Sequence, residues 1–339
     1  MTERMREHYP WQASTWRSLA DRLTQDTLPH ALLLHGPAGI GKRHFATRFA
    51  HALVCEQRHA DGLPCGRCPS CLLYAADNHP DMHVVEPEKE GGVIKIDQIR
   101  ALIADLSLSR HAGGYKVAII HPAEVMNTAA ANSLLKTLEE PAANTLIMLV
   151  AEQLSRLPAT IRSRCQKLRF TVPESSMAGD WLREKLAENG ASPDAVPQLL
   201  MIAQGAPLRA LADAEKDLPA LRQSLLEALL ELSEGRRDPV KVAGEWLKLE
   251  QPMPIKYLHG WVSDMIRFRQ VPQSFADNMD YQKMLHSLCV DIEIQKLYSY
   301  LDRIAESLPL MAQLNPLPII ESLLIHWANM PKQKTIMQD

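Results

Sequence analysis

Five short apolar runs, rich in β-branched residues, alternate with helical patterns through the first half of the chain. Runs of this length, separated by segments long enough for a helix, are typical of a parallel sheet buried on both faces. After Phe170 the pattern is helical, including one continuous helix over Met279–Ser299. The predicted strands are Ala31–His35, Met82–Val85, Val117–His121, Leu146–Val150 and Lys167–Phe170. The sequence therefore predicts an α/β domain followed by all-helical regions.

A glycine-rich loop lies between the first predicted strand and the helix that follows it. The segment Gly36–Arg43 matches the phosphate-binding pattern G-x-x-x-x-G-K-[ST] through Lys42 but ends in Arg43. In such a loop the backbone and the lysine surround a phosphate, and the final hydroxyl holds Mg²⁺. A guanidinium only donates hydrogen bonds and stays charged, so Arg43 cannot ligate a metal. The candidate phosphate-binding residues are Gly36, Gly39, Gly41 and Lys42.

The second metal-binding position of a nucleotide hydrolase is missing as well. A strand that ends in acidic residues should orient Mg²⁺ and activate water, but the strand starting near Lys116 ends in His121 and Pro122. Neither residue supplies the oxygen ligands that Mg²⁺ prefers. The sequence therefore predicts that this chain does not hydrolyse ATP. The loop either still receives an anion through Lys42 or is an empty relic that starts a helix.

Four of the six cysteines lie close together in the sequence, with the spacing C-x9-C-x2-C-x2-C. Four thiolates from a helix end and a tight turn can surround Zn²⁺ tetrahedrally, which leaves no open position and makes the site structural. A disulfide is disfavoured in a cytoplasmic chain, an iron–sulfur cluster lacks its usual following cysteine, and free thiols remain a third alternative. The spacing favours zinc, held by Cys55, Cys65, Cys68 and Cys71.

Composition excludes several classes of protein. Of the 339 residues, 46% are hydrophobic and 23% charged, as in a globular domain, and no apolar run reaches membrane-spanning length. The segment Met1–Glu7 is charged, so no signal peptide is predicted and a cytoplasmic location follows. The formal net charge of -3 gives no overall basic field. Any contact with DNA must therefore be local or made by partners.

Two further segments resemble the bacterial AAA+ clamp-loader family. They are Asn127–Pro141 and Leu157–Cys165, and the second ends in the Ser-Arg-Cys motif of that family. The resemblance covers about Gly36 to Cys165, with a weaker extension at Gly205–Arg209. It implies a RecA-like AAA+ domain with an inserted zinc knuckle, then a small helical lid and a helical collar that oligomerises. The implied domains span residues 1–172, 173–214 and 215–339.

The same resemblance implies a role for Arg164. In this family the arginine of the Ser-Arg-Cys motif reaches into the ATP site of a neighbouring subunit, where an arginine finger stabilises charge on the transferring phosphoryl group. The alternative is an ordinary surface charge, since Arg162, Lys167 and Arg169 lie nearby. The motif favours the finger.

Two other positions depart from the active members of the family. Glu152 and Gln153 stand where a small polar residue usually senses the γ-phosphate, and a carboxylate there would repel phosphate. Arg209 comes one residue late after the glycine turn of the lid, which rotates a helical side chain by about a quarter turn. We therefore expect that Arg209 does not reach a nucleotide.

The resemblance implies a function in DNA replication: an accessory, non-hydrolysing subunit of a DNA polymerase holoenzyme. The implied partners are the gamma/tau and delta subunits of a clamp loader and, indirectly, the beta sliding clamp and primer–template DNA. One alternative is an active AAA+ ATPase of the gamma/tau motor type, which would need an intact metal site. Another is a zinc-dependent nucleic-acid-binding module, for which Arg58, His59 and Arg67 give a weakly basic knuckle.

Overall fold

The structure, a computed structural model, describes residues 9–89, 91–110, 114–189, 191–271, 281–311 and 314–330. The N-terminal segment Met1–Glu7, on which the prediction of no signal peptide rests, lies outside these residues. The chain divides into two compact units: Met1–Trp181 with Gly205–Arg209, and Leu182–Gln204 with Ala210–Asp339. The division into a lid and a collar stays a prediction.

A five-stranded parallel sheet organises the first unit, with the strand order β2-β3-β4-β1-β5. Each predicted strand is present. β3 and β5 are each shifted by one residue towards the N-terminus, and β4 is one residue longer at both ends than predicted. The predicted α/β class is therefore confirmed. The strands are β1 Ala31–His35, β2 Met82–Val85, β3 Lys116–Ile120, β4 Thr145–Ala151 and β5 Gln166–Arg169.

The central strands are apolar on both faces because helices cover both faces of the sheet. In β1, Leu32 and Leu34 pack into a core with helices α1 and α2, which are Ala13–Thr24 and Lys42–Val54. Ala31 and Leu33 of the same strand pack into a second core on the other face. The remaining helices of this unit are α3 Pro69–Ala75, α4 Ile96–Ser107, α5 Thr128–Glu139 and α6 Ala159–Arg162. Helices α4, α5 and α6 contribute to the second core.

The rest of the described chain is helical. Its helices are α7 Ser175–Glu188, α8 Val196–Ile202, α9 Pro207–Glu215, α10 Leu218–Ser233, α11 Pro239–Leu247, α12 Met253–Gln270, α13 Gln282–Cys289, α14 Ile294–Leu310 and α15 Pro316–Ala328. None of the described helices is both long and apolar enough to cross a membrane. The predicted cytoplasmic location stays a prediction.

The helical core of the second unit is built around buried aromatic residues. Trp327 is 2% exposed and donates its indole N–H to the carbonyl of Leu229 at 2.9 Å. The buried guanidinium of Arg222 lies over the rings of Tyr257 and Tyr281, at 5.3 and 5.1 Å from their centroids. Cation–π contacts of this kind hold a charged group inside an aromatic core.

The single helix predicted over Met279–Ser299 is wrong. Two helices, α13 and α14, lie there, with a turn between Cys289 and Ile294. Cys289 and Ile292 are both buried in the same core, at 0% and 2% exposure. The helical pattern of the sequence does not reveal this turn, because residues three apart also lie on one face of a continuous helix.

Candidate functional site

The loop between β1 and α2 adopts a conformation that depends on its glycines. Gly36 has a φ of +146°, and a Cβ atom there would lie 2.0 Å from the backbone oxygen of Phe170. Gly41 caps α2 with a φ of +85°, in the left-handed region that glycine adopts without strain. Because α2 begins at Lys42, the unpaired N–H groups of its first turn point towards the loop. Phosphate binding at this loop stays a prediction.

Side chains near the start of the described chain donate hydrogen bonds to carbonyl groups of this loop. The side-chain amide of Gln12 donates to the carbonyl oxygens of Ile40 and Gly41, at 2.9 and 3.0 Å. The indole N–H of Trp11 donates to the same Ile40 oxygen at 3.0 Å. Gln12 is 1% exposed, and a buried amide of this kind must keep its hydrogen bonds. Gln12 is therefore a fixed part of the loop.

The first turn of α9 lies beside the same loop. The backbone N–H of Leu208 donates to the carbonyl of Gly39 at 3.0 Å. A Cβ atom on Gly39, which has a φ of +72°, would lie 2.6 Å from the Cβ of Arg209. The expectation that Arg209 does not reach a nucleotide stays a prediction.

Lys42 is turned into its own loop. Its side chain is almost fully buried, and its Nζ donates to the carbonyl of Pro37 at 2.5 Å. Burial lowers the pKa of Lys42, and the carboxylates of Glu152 and Glu124 act in the opposite direction. An anion that approached this ammonium would therefore also meet two negative charges.

Arg43 forms an ion pair where a hydroxyl and a metal would be expected. Its guanidinium lies 2.7 Å from the carboxylate of Glu86, which follows β2. His121 follows the neighbouring strand β3, and its backbone N–H donates to the carbonyl of Val85 at 3.0 Å. Burial lowers the pKa of His121, and the positive charge of Arg43 lowers it further. This end of the sheet thus holds the guanidinium of Arg43, the carboxylate of Glu86 that balances its charge, and the neutral imidazole of His121.

The carboxylate of Glu124 is engaged by the backbone. Glu124 lies in a single 3₁₀ turn, Ala123–Val125, just after β3. Its Oε1 accepts hydrogen bonds from the N–H groups of Glu152 and Gln153, at 2.8 and 3.2 Å. These two residues follow β4, so Glu124 holds the ends of two neighbouring strands together.

The four clustered cysteines meet at the end of α2. Their sulfur atoms all lie within 4.8 Å of one another, a set that could hold a metal ion. Cys55 and Cys68 are 3.9 Å apart, and so are Cys65 and Cys71. A tetrahedral ion with Zn–S distances near 2.3 Å requires sulfur atoms about 3.8 Å apart. A disulfide would need about 2.0 Å. The spacing therefore fits one tetrahedral ion and excludes a disulfide between these sulfur atoms.

Backbone N–H groups and burial act differently on these thiols. Hydrogen bonds led by the backbone N–H of Arg67 lower the pKa of Cys65 to about 6. Burial raises the pKa of Cys55 and of Cys71. Two of the four thiols thus favour the neutral form without a cation, and binding of a metal ion would release their protons. The identity of that ion as zinc stays a prediction.

Arg58, one of the basic residues near the cluster in the sequence, has structural partners. The guanidinium of Arg58 donates to the carbonyls of Ala52, Leu53 and Cys55, at 3.2 to 3.3 Å. These carbonyls lie at the C-terminal end of α2 and have no partner within the helix. Arg58 therefore caps α2, which weakens its support for a nucleic-acid-binding knuckle.

The Ser-Arg-Cys segment forms a tight turn between α6 and β5. The hydroxyl of Ser163 donates to the carbonyl of Thr160 at 3.1 Å. Cys165 is 8% exposed in the core, and burial raises its pKa to about 11, so its thiol acts in packing. Between them, the side chain of Arg164 is 33% exposed and contacts the carboxylate of Glu139. The turn thus presents one arginine at the surface, and its role as a finger stays a prediction.

Two family models match the chain: DNA polymerase III, delta subunit, over residues 11–174, and DNA polymerase III, delta subunit, C terminal, over residues 216–329. The DNA polymerase III subunit delta′ of Pseudomonas aeruginosa is 33% identical over 331 residues, which covers 96% of this chain and 99% of that relative. The chain belongs to the DNA polymerase III subunit delta′ family. The delta′ subunit of Escherichia coli K12 is 34% identical, over 65% of each chain.

A gamma subunit-related protein of DNA polymerase III from Thermotoga maritima is a similar solved structure. It has a TM-score of 0.47 and 21% identity, and the match covers 94% of this chain and 99% of that one. Membership of the delta′ family rests on the sequence relatives alone. It confirms the family resemblance that the sequence motifs predicted.

Three side-chain contacts at the loop and at the Ser-Arg-Cys turn of this delta′ family member were not predicted from the sequence. They join Gln12 to the loop, Glu86 to Arg43, and Glu139 to Arg164. Each pair is distant in sequence, so no local pattern links its members. Of the three partner residues, only Glu139 could have been singled out from the sequence, because it lies inside the segment Asn127–Pro141 that resembles the family.

Proposed function

We propose that this chain is a non-hydrolysing delta′ subunit of the DNA polymerase III clamp loader. It assembles with the gamma/tau and delta subunits and supports loading of the beta sliding clamp on primed DNA. Within that complex it supplies Arg164 to the ATP site of a neighbouring gamma/tau subunit. Family membership supports its place in the complex, and the chain's own loop supports the lack of hydrolysis.

The ion pair between Arg43 and Glu86 is the observation that carries the proposal. Mg²⁺ needs oxygen ligands in a near-octahedral set, and it neutralises the phosphates during hydrolysis. Here a guanidinium stands at the hydroxyl position and already has a carboxylate partner. His121 and Pro122 supply no oxygen ligand at the end of the next strand. A metal would have to displace Arg43 and would still lack its second anchor.

The exposed guanidinium of Arg164 supports the other half of the proposal. A planar, permanently charged group can bind two phosphate oxygens at once, which a lysine cannot. An arginine finger supplied by a neighbouring protein contributes about 10³- to 10⁵-fold to the rate. The turn that carries Arg164 is anchored in the core by Cys165, so the side chain is presented from a rigid element.

We further propose that the cysteine cluster holds Zn²⁺ as a structural ion. Cys55, Cys65, Cys68 and Cys71 would hold it, and a closed set of four thiolates supplies folding stability rather than reactivity. Cys55 ends α2 and Cys68 caps α3, so the ion would join two helices that are otherwise linked by a long turn.

The test is the ATPase of a complex reconstituted from this chain and the gamma/tau and delta subunits. Arg164→Ala should lower turnover at the site that Arg164 serves by about 10³-fold or more, while the complex stays intact in gel filtration. Lys167→Ala is the matched control, because Lys167 is an exposed cation of the same stretch. Unchanged turnover with Arg164→Ala would rule out the finger.

A further inference from the structure

The guanidinium of Arg164 is held on two sides by groups of its own chain. Its Nε donates to Oε1 of Glu139 at 2.7 Å, and its Nη2 contacts the same oxygen. On the other side, Nη1 donates to the carbonyl of Thr160 at 3.0 Å and lies 3.4 Å from the hydroxyl of Ser163. The side chain is thus fixed in one orientation although a third of it is exposed.

The orientation leaves part of the donor capacity of the guanidinium unused, since the strong contacts to Glu139 and Thr160 take three of its N–H groups. The group is rigid and planar and carries five N–H donors. Nε and one N–H of Nη2 face Glu139, so the second N–H of Nη2 points away from that carboxylate. Nη1 uses one N–H for Thr160, and its contact with the hydroxyl of Ser163 is long, at 3.4 Å. One N–H of Nη1 and one of Nη2 together form the fork that binds phosphate in a bidentate manner.

Both partners of this contact stand on the same buried core. Leu138, which precedes Glu139, is 1% exposed, and Cys165, which follows Arg164, is 8% exposed. Both belong to one hydrophobic cluster together with Ile161 of α6. The backbone on each side of the contact is therefore held by the same core, so small shifts of exposed loops do not separate the carboxylate from the guanidinium.

We propose that Glu139 is a positioning residue, which orients the guanidinium of Arg164 towards the γ-phosphate in the neighbouring ATP site. The inference rests on the proposed function of Arg164 as an arginine finger. An exposed arginine samples several rotamers, and a fixed one loses less freedom when it reaches the transition state. An exposed ion pair binds weakly, so the carboxylate does not outcompete a multiply charged phosphate.

The experiment uses the complete reconstituted complex and measures kcat and KM for ATP. Glu139→Gln should lower the Arg164-dependent kcat by about 3- to 10-fold and leave KM unchanged, because ATP itself is bound by the neighbouring subunit. Glu140→Gln is the matched control: Glu140 is the adjacent exposed carboxylate and, in the described part of the chain, has no hydrogen bond to Arg164. It should behave like the wild type.

A double mutant separates orientation from a general structural effect. In an Arg164→Ala background, Glu139→Gln should cause no further loss of kcat, because the residue it orients is gone. A further loss there, or an unchanged or raised kcat in the single Glu139 mutant, would overturn the inference. If Arg164→Ala itself has no effect, the proposed function fails and the inference fails with it. If Arg164→Ala is impaired and Glu139→Gln is not, only the inference fails.

Discussion

The loop before α2 and the turn after α6 each carry one cationic side chain, and the protein treats the two in opposite ways. Lys42, at the end of the loop, is buried, and its ammonium group donates a hydrogen bond to the carbonyl of Pro37. Arg164 of the turn stays partly exposed and is held by Glu139. The difference is that the cation at the glycine-rich loop is buried in its own chain, whereas the cation of the turn remains partly accessible to solvent.

The surroundings of the two regions differ in the same sense. Two carbonyls of the loop, those of Ile40 and Gly41, accept hydrogen bonds from Gln12 or Trp11, so the loop is braced by polar contacts. The turn instead rests on a hydrophobic core through Cys165. Helices α2 and α5 pack on opposite faces of the sheet, so a change in one region should have little effect on the other.

The largest expected effect is the loss of metal from the cysteine cluster, and it tests whether the loop and the turn are independent. Cys68→Ser should reduce the zinc content from about one equivalent to none, as measured by elemental analysis. Hydrogen exchange should become faster in α2 and α3, which the ion would join, and stay unchanged in α5 beside Arg164. Loss of protection in α5 as well would break the independence of the two regions.

A matched control is available for the metal measurement. Cys289 is a buried cysteine of the helical unit and lies outside the cluster. Cys289→Ser should lower stability and keep the zinc. A wild-type chain that carries iron, or no metal, would contradict the zinc assignment.

A smaller effect is expected from the amide that fills the loop. Gln12→Ala removes hydrogen bonds to the carbonyls of Ile40 and Gly41, which keep Trp11 and Phe45 as donors, and we expect a loss of about 1 kcal/mol in the free energy of unfolding. Urea denaturation measures it, with the exposed Gln25→Ala as control at less than about 0.5 kcal/mol. The Arg164-dependent ATPase should be unchanged. A loss of that activity would show that the loop and the turn are coupled.

The smallest expected effect is on the nucleotide chemistry of the isolated chain. The wild type should show no ATP turnover above background, and Lys42→Ala should not change this, because the metal positions are already lost. Turnover by the wild type that Lys42→Ala abolishes would make the loop an active site and would end the contrast with the turn.

Most of the sheet could be predicted because its strands are short apolar runs with polar boundaries. Ala31–His35 and Met82–Val85 match the structure at both ends. The meeting of the four cysteines was also predictable, since three of them lie within seven residues and the fourth ends the preceding helix. In each case the signal is local, and a local pattern survives folding.

The contacts that distinguish the two regions could not be predicted in this way. Arg164 and Glu139 are separated by 25 residues, and Gln12 and Ile40 by 28. Such pairs depend on which elements become neighbours in space, and a single sequence does not contain that information in any periodic form. The break between α13 and α14 is similar, because Cys289 and Ile292 would also share one face of a continuous helix, so their burial in one core gives no local sign of a turn.

The pair formed by Arg43 and Glu86 has a consequence for any attempt to restore a metal site. Replacing Arg43 by threonine would restore the hydroxyl of the motif but leave Glu86 without its partner and His121 in place. Replacing His121 alone by an acidic residue would put a second carboxylate near Glu86, and the two negative charges would repel each other without a metal between them. On the proposed function, a working metal site would therefore need several substitutions at once, and no single one of them would restore ATP hydrolysis.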